Sequence, residues 1–148
     1  MLVGPQKIKS LLPHGPSMQL LDQVIRFGPE ELVAITNQHR DVNHPLRRSC
    51  GMLPVSIGIE FAGQASAIHG ALLEGDESTK PRQGFLVMAR DVSWRIARLD
   101  DLTTELEIRV QLLSRNDQSA MYQFHLCTQS QSPLMAGRMA VYFPEEPR

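Results

Sequence analysis

The chain has 148 residues, 42% of them hydrophobic, enough to bury a sizeable core as one domain, 1–148. Its 15 basic and 16 acidic residues leave a formal charge of -1, which removes the global electrostatic pull that nucleic acid or anionic lipid would use. The two cysteines, Cys50 and Cys127, stand outside any CxxC or HExxH spacing, arguing against a disulfide framework and a standard zinc site.

The opening MLVGPQKIKSLLPHGP is broken by Gly4, Pro5, Lys7 and Lys9 before it reaches signal-peptide length, so a cytoplasmic protein is expected. Pro5 is suited to opening a short helix through Leu11 or Leu12, and the Pro-His-Gly-Pro run at 13–16 ends it. Met18 to Phe27 and Glu31 to Thr36 are rich in Leu, Val and Ile and flank the turn residues Gly28-Pro29-Glu30, a hairpin pattern. Asn37 to Met52 follows as a polar connection of about sixteen residues, a length that is usually functional or mobile.

Pro54 stands where a first helical residue would, and the proline-free stretch to Leu73 predicts one long helix ending near Gly75. Its glycines and alanines lower helix propensity where glycine occurs, so they predict close approach to a sheet. The segment contains Glu60, Gln64 and His69, which makes a membrane span unfavourable. After a polar loop from Glu74 to Gly84 come four strand candidates: Phe85 to Ile96, bent near Asp91; Glu105 to Leu113; Ser119 to Thr128; and Leu134 to Phe143. Strict alternation in ELEIRVQL and in Ala120, Tyr122, Phe124, Leu126 marks strands with one wet face, and turn residues at 115–118 and 130–133 favour an antiparallel meander. The predicted architecture is α+β, a curved antiparallel sheet wrapped around one long central helix.

Between Pro54 and Leu73, Glu60 is the only carboxylate, and no Lys or Arg accompanies it. A buried carboxylate has to be paired, protonated, hydrogen-bonded or facing a cavity; the other alternative is a solvated helix stripe. Gln64, about 40° further round the helix, shares its face and can orient it, whereas His69, about 180° round, looks away and is structural.

The stretch LLPHGPSMQLLDQV resembles the Leu-Leu-Pro-His opening of hotdog-fold 3-hydroxyacyl-[acyl-carrier-protein] dehydratases, and GIEFAGQA resembles their central-helix motif with its catalytic Glu. Within that group the chain is most similar to the dehydratases of aryl-polyene type gene clusters. The resemblance implies a hotdog fold, side-by-side dimers with the site between subunits, and elimination of water from a 3-hydroxyacyl thioester of acyl carrier protein or CoA. It implies no metal or redox cofactor. Glu60 matches the acid that protonates the departing hydroxyl, and semi-apolar surroundings would keep its proton available. Backbone N–H groups at the helix start, around Val55, Ser56 and Gly58, are candidates to hold the thioester oxygen.

The family's Gly-His-Phe-Pro segment is missing: the equivalent loop reads VNHPLRRSCGMLP, and His44 is the nearest upstream histidine, matched as the C2 base by neighbourhood only. His14 matches the Leu-Pro-His signature, whose histidine is structural or lies near the substrate entrance, and packing or loop capping is the role expected of it here. His39 and His125 read as bystanders, and Cys50 lacks a visible activating base. Arg40, Arg47 and Arg48, with Lys80 and Arg82, are candidates for contact with an acidic carrier or its phosphopantetheine phosphate. Two alternatives remain open: thioester hydrolysis by Glu60 with Gln64, and a weakly active or non-catalytic partner subunit of a heterodimeric dehydratase.

Overall fold

The computed structural model describes residues 3–11, 19–74, 85–128 and 133–143. Helix α1 covers Pro5–Leu11, as Pro5 predicted. Strands β1 (Gln23–Phe27) and β2 (Glu31–Thr36) form the expected antiparallel hairpin. Residues 19–22 stand outside β1, shortening the predicted strand, although they stay tied to β2: the Asp22 N–H donates to Ile35 O at 2.9 Å and the Leu20 carbonyl accepts from the Thr36 hydroxyl at 2.8 Å. The connection to the central helix holds a 3-10 turn at Gln38–Arg40.

The central element starts as a 3-10 turn, Val55–Ile57, and becomes α-helical over Gly58–Glu74, here α2. Phe61, Ala62, Ala65 and Ile68 recur at helical spacing, are fully buried, and pack on the sheet. Each of the two large side chains among them stabilises the fold by roughly 1.5–3 kcal/mol through burial. Of the glycines, Gly58 serves the predicted close approach: a Cβ there would lie 2.5 Å from Leu126 Cδ2 and 2.9 Å from Met135 Sδ. Gly63 does not, for among the described residues nothing stands within 4 Å of its Cβ position.

Strands β3 (Phe85–Trp94), β4 (Leu106–Arg115), β5 (Ser119–Cys127) and β6 (Pro133–Tyr142) complete a six-stranded antiparallel sheet of order β1-β2-β4-β5-β6-β3. A long antiparallel sheet curved about one helix is the hotdog arrangement. β4, β5 and β6 form the predicted meander, with Leu106, Ile108, Val110, Tyr122, Phe124 and Leu126 buried under the helix. β3 departs from it: this strand crosses to the far edge and pairs with β6, not β4. The bend expected near Asp91 is a register break between Arg90 and Ser93, with Asp91 at φ 53°. Along this free edge Val87 is 61% and Trp94 60% exposed. Among the described residues no helix is long and apolar enough to cross a membrane.

Candidate functional site

Glu60 occupies the first turn of α2, where the helix dipole and unpaired N–H groups favour negative charge. Its side chain is exposed and has no hydrogen-bond or ion-pair partner among the described residues. The expectation of semi-apolar surroundings is therefore corrected for the single chain, where the periodicity alternative, a helix stripe open to solvent, describes Glu60. The depressions of about 210 Å³ and 390 Å³ on the protein lie elsewhere, beside Arg26, Val33, Arg109 and His125 and beside the Gly28–Glu31 turn.

Gln64 shares the Glu60 face but makes no hydrogen bond to the carboxylate, and its amide oxygen is turned to the segment before β1. It accepts the Leu20 and Leu21 N–H groups at 2.7 and 3.1 Å, tying the segment before β1 to α2. His69 does look away, as the half-turn predicted. It is fully buried, donates from Nε2 to the Gly28 carbonyl at 2.9 Å, and accepts from the Tyr122 hydroxyl at Nδ1 at 2.7 Å. Burial lowers its pKa, outweighing the Gly28 bond that would raise it.

The candidate oxyanion donors are thinned by their neighbours. Val55 N–H donates to Ala97 O at 3.0 Å and Ile57 N–H to Pro54 O at 3.0 Å, while Gly58 N–H is directed back into the 3-10 turn. Val55 and Gly58 are thus committed to the backbone. The Ser56 N–H has no acceptor among the described residues, and its side chain is exposed. Ser56 and Glu60, four residues apart, place one free donor and one free carboxylate at the same end of α2.

The loop before the helix is more ordered than its polar composition implied. His39 is fully buried, donating from Nε2 to Thr104 O at 3.0 Å, and burial lowers its pKa. His44 is 4% exposed and its ring tilts against Phe61. Its Nδ1 accepts the Leu46 N–H at 3.1 Å, so the neutral ring carries its proton on Nε2, which is buried without a partner among the described residues. Desolvation, with the nearby Arg47 charge, lowers its pKa. In the single chain neither nitrogen of His44 presents a lone pair to a substrate, which is the physical difficulty with His44 as base.

Arg47 is drawn into the same loop: it donates to Gly51 O at 2.8 Å and His39 O at 3.2 Å and acts as a loop staple. Arg40 and Arg48 remain exposed, with no side-chain partner among the described residues. His14, Lys80 and Arg82 lie outside the described residues. His125 projects from the outer sheet face beside Arg109. Cys50 is exposed, and Cys127 is buried, which raises its thiol pKa. No motif or periodicity marked Arg98 and Asp100, yet they hold the start of the central element: Asp100 Oδ1 accepts the Leu53 N–H at 2.9 Å. The only sequence trace of this is the short-range opposite-charge pattern Arg-Leu-Asp-Asp at 98–101.

A family model described as ApeP-like, ApeP dehydratase, matches residues 6–148. No curated protein matches the sequence. Among solved structures, a chain of the dehydratase heterocomplex ApeI:P from Xenorhabdus doucetiae is 23% identical, with a TM-score of 0.83 over 94% of this chain and 91% of that one. A thioesterase from Haemophilus influenzae is 11% identical, with a TM-score of 0.65 over 98% of this chain and 93% of that one. AziG of S. sahachiroi is 13% identical, with a TM-score of 0.58 over 84% of this chain and 91% of that one. At these identities the structural likeness is one of fold.

Proposed function

The chain belongs to the ApeP-like dehydratase family, and on that premise we propose that it eliminates water from a 3-hydroxyacyl thioester in polyene or fatty-acid type biosynthesis, together with a second hotdog subunit. The observation that carries the reading is the pairing, at one end of α2, of the unpartnered Glu60 carboxyl with the free Ser56 N–H. In the reaction a base removes the C2 proton, and the thioester oxygen, gaining enolate character, is held by the Ser56 N–H. The C3–O bond then breaks as Glu60 supplies a proton to the hydroxyl, releasing water and leaving a C2–C3 double bond.

The base is supplied by the partner subunit. The sealed state of His44 supports this, since its Nδ1 is occupied and its Nε2 is protonated and buried. The free β3 edge supports it too: an edge strand with exposed Val87 and Trp94 is a template for another strand, and tryptophan is favoured at interface centres. The solved chain of similar fold comes from a dehydratase heterocomplex, which agrees. A partner covering α2 would also close the Glu60 end of the helix off from bulk water. Arg40 and Arg48, exposed and without a side-chain partner among the described residues, are the candidates for contact with the acidic carrier or its phosphopantetheine phosphate; Arg47, already bonded twice, is not. Hydrolysis is disfavoured because it needs Gln64 beside the attacking water, while the Gln64 oxygen is taken by Leu20 and Leu21.

The test is enoyl-thioester formation from a 3-hydroxyacyl thioester by the purified chain, alone and mixed with a second hotdog dehydratase subunit, with Glu60→Gln and His44→Ala alongside. Turnover is expected only in the mixture, abolished by Glu60→Gln and retained by His44→Ala. Strong activity of the chain alone would overturn the shared site. Loss in a folded His44→Ala mixture would return the base to this chain, and free acid in place of enoyl product would replace elimination with hydrolysis.

A further inference from the structure

We propose that Asp100 is a positioning residue for the oxyanion donor, acting through a short backbone ribbon that sets the place of the Ser56 N–H; this rests on the dehydratase reading above. The start of the central element is laced to the segment after β3. Leu99 N–H donates to Leu53 O at 2.8 Å, Val55 N–H donates to Ala97 O at 3.0 Å, and Pro54 bridges Arg98. Pro54 has no N–H of its own, so the ribbon has few bonds to spare. At its end the Leu53 N–H would be an orphan donor, and Leu53 is fully buried. Asp100 Oδ1 fills that vacancy at 2.9 Å.

The carboxylate is itself held. Arg98 Nε donates to both Asp100 oxygens at 3.0 Å, with a further bond from its terminal nitrogen to Oδ2. Arg98 thus stands opposite Pro54 in the ribbon, between the Ala97 and Leu99 backbone bonds, and reaches Asp100 with its side chain. The Arg98 hydrogen bonds, followed by the Leu53 N–H, hold the Asp100 pKa down at about 2, so the clamp stays ionised across any assay range. With its side chain only 7% exposed, Asp100 touches no substrate. From Leu53 the chain runs through Pro54 and Val55 directly to Ser56. On the other side Gly58 is closely packed against the Leu126 and Met135 side chains. Ser56 N–H therefore lies between the bonded ribbon and the packed Gly58, and a shift at Leu53 passes into the spacing between that donor and Glu60. Donors act at about 2.7–3.1 Å from the developing oxyanion, and a misplacement of about 1 Å can cost about 100-fold.

The test compares the parent with Asp100→Ala, Asp100→Asn and Arg98→Met in the active assembly. Two readouts are taken: the Ser56 amide resonance in the ¹⁵N-labelled chain, and kcat and KM for enoyl formation. In Asp100→Ala the Ser56 resonance is expected to move beyond the scatter of remote amides, with kcat down about 10- to 100-fold and KM within about threefold. Asp100→Asn keeps an acceptor for the Leu53 N–H and should recover most of kcat; Arg98→Met, which frees the carboxylate without removing it, should fall between. An unmoved Ser56 resonance, or kcat and KM worsening together with Asp100→Asn no better than Asp100→Ala, overturns the proposal. If Asp100→Ala does not fold, the ordering of Asp100→Asn and Arg98→Met against the parent decides the matter. If the parent forms no enoyl product, the dehydratase reading fails by itself, and the Ser56 resonance still decides whether Asp100 places that donor.

Discussion

Alanine introduced separately at Gly58 and Gly63 should move stability in opposite directions, although both glycines lie in α2. Gly58 has φ -55°, an ordinary helical value, so the effect at that site is steric. An added Cβ would stand 2.5 Å from Leu126 Cδ2 and 2.9 Å from Met135 Sδ, against ordinary carbon contacts of about 3.5–4.0 Å. Leu126 therefore has to retreat by roughly 1 Å in a core where it is fully buried; the adaptable Met135 can absorb part of the remainder. Overpacking of this kind costs about 1–3 kcal/mol, and the helix propensity gained over glycine returns at most about 1 kcal/mol, less in a first turn. Gly58→Ala is thus expected to lose about 1–2 kcal/mol net. Gly63→Ala meets nothing within 4 Å among the described residues and should gain up to about 1 kcal/mol from propensity alone. Urea denaturation followed by far-UV circular dichroism measures both, at two protein concentrations so that a contribution from subunit association shows as a concentration dependence. Gly58→Ala proving as stable as Gly63→Ala would refute the close-approach reasoning.

Acid should weaken the fold from near-neutral pH downward. Burial lowers the pKa of His39, His44 and His69, so the unfolded chain binds protons that the folded chain refuses below about 6.5. Stability is then full above about pH 6.5 and falls below it, by up to about 1.4 kcal/mol per pH unit for each histidine that stays neutral. Urea midpoints that stay flat from about pH 7.5 to 5.5 would contradict this. At the alkaline end Tyr122 is pushed up to about 12 by burial, so its phenol stays protonated in the fold while the unfolded chain ionises near 10. Stability should fall as pH rises from about 10 towards 12. Tyr122→Phe should blunt that alkaline loss while costing about 1–3 kcal/mol at neutral pH, because the buried His69 Nδ1 loses its donor. Gln64→Leu should cost about 1–3 kcal/mol and speed hydrogen exchange at the Leu20 and Leu21 amides, with Gln64→Glu close to the parent. Unchanged exchange at both amides in Gln64→Leu would dismiss the anchoring role.

The elements were legible in the chain because their signals are local. Pro5 and Pro54 marked where helical structure begins, and the alternation in β4 and β5 showed which residues line the core. A lone carboxylate in a small-residue helix drew attention to Glu60. Helical spacing also separated Glu60 from His69 correctly, since a half-turn is geometry and needs no neighbour. What the pattern could not carry was who stands opposite whom. The Gln64 oxygen meets Leu20 across 44 positions, and β3 reaches the sheet edge by pairing with β6, contacts that period and composition do not encode. The polar loop at 37–52 resembled solvated chain, yet His39 and His44 are buried in it, because Thr104, Phe61 and the loop's own amides close around them. Sequence alone therefore determined the element order, the core faces and the candidate acid. Tertiary structure decided which polar groups near the start of α2 remain free, because a hydrogen bond made across the fold silences a donor or acceptor that its own neighbourhood leaves open.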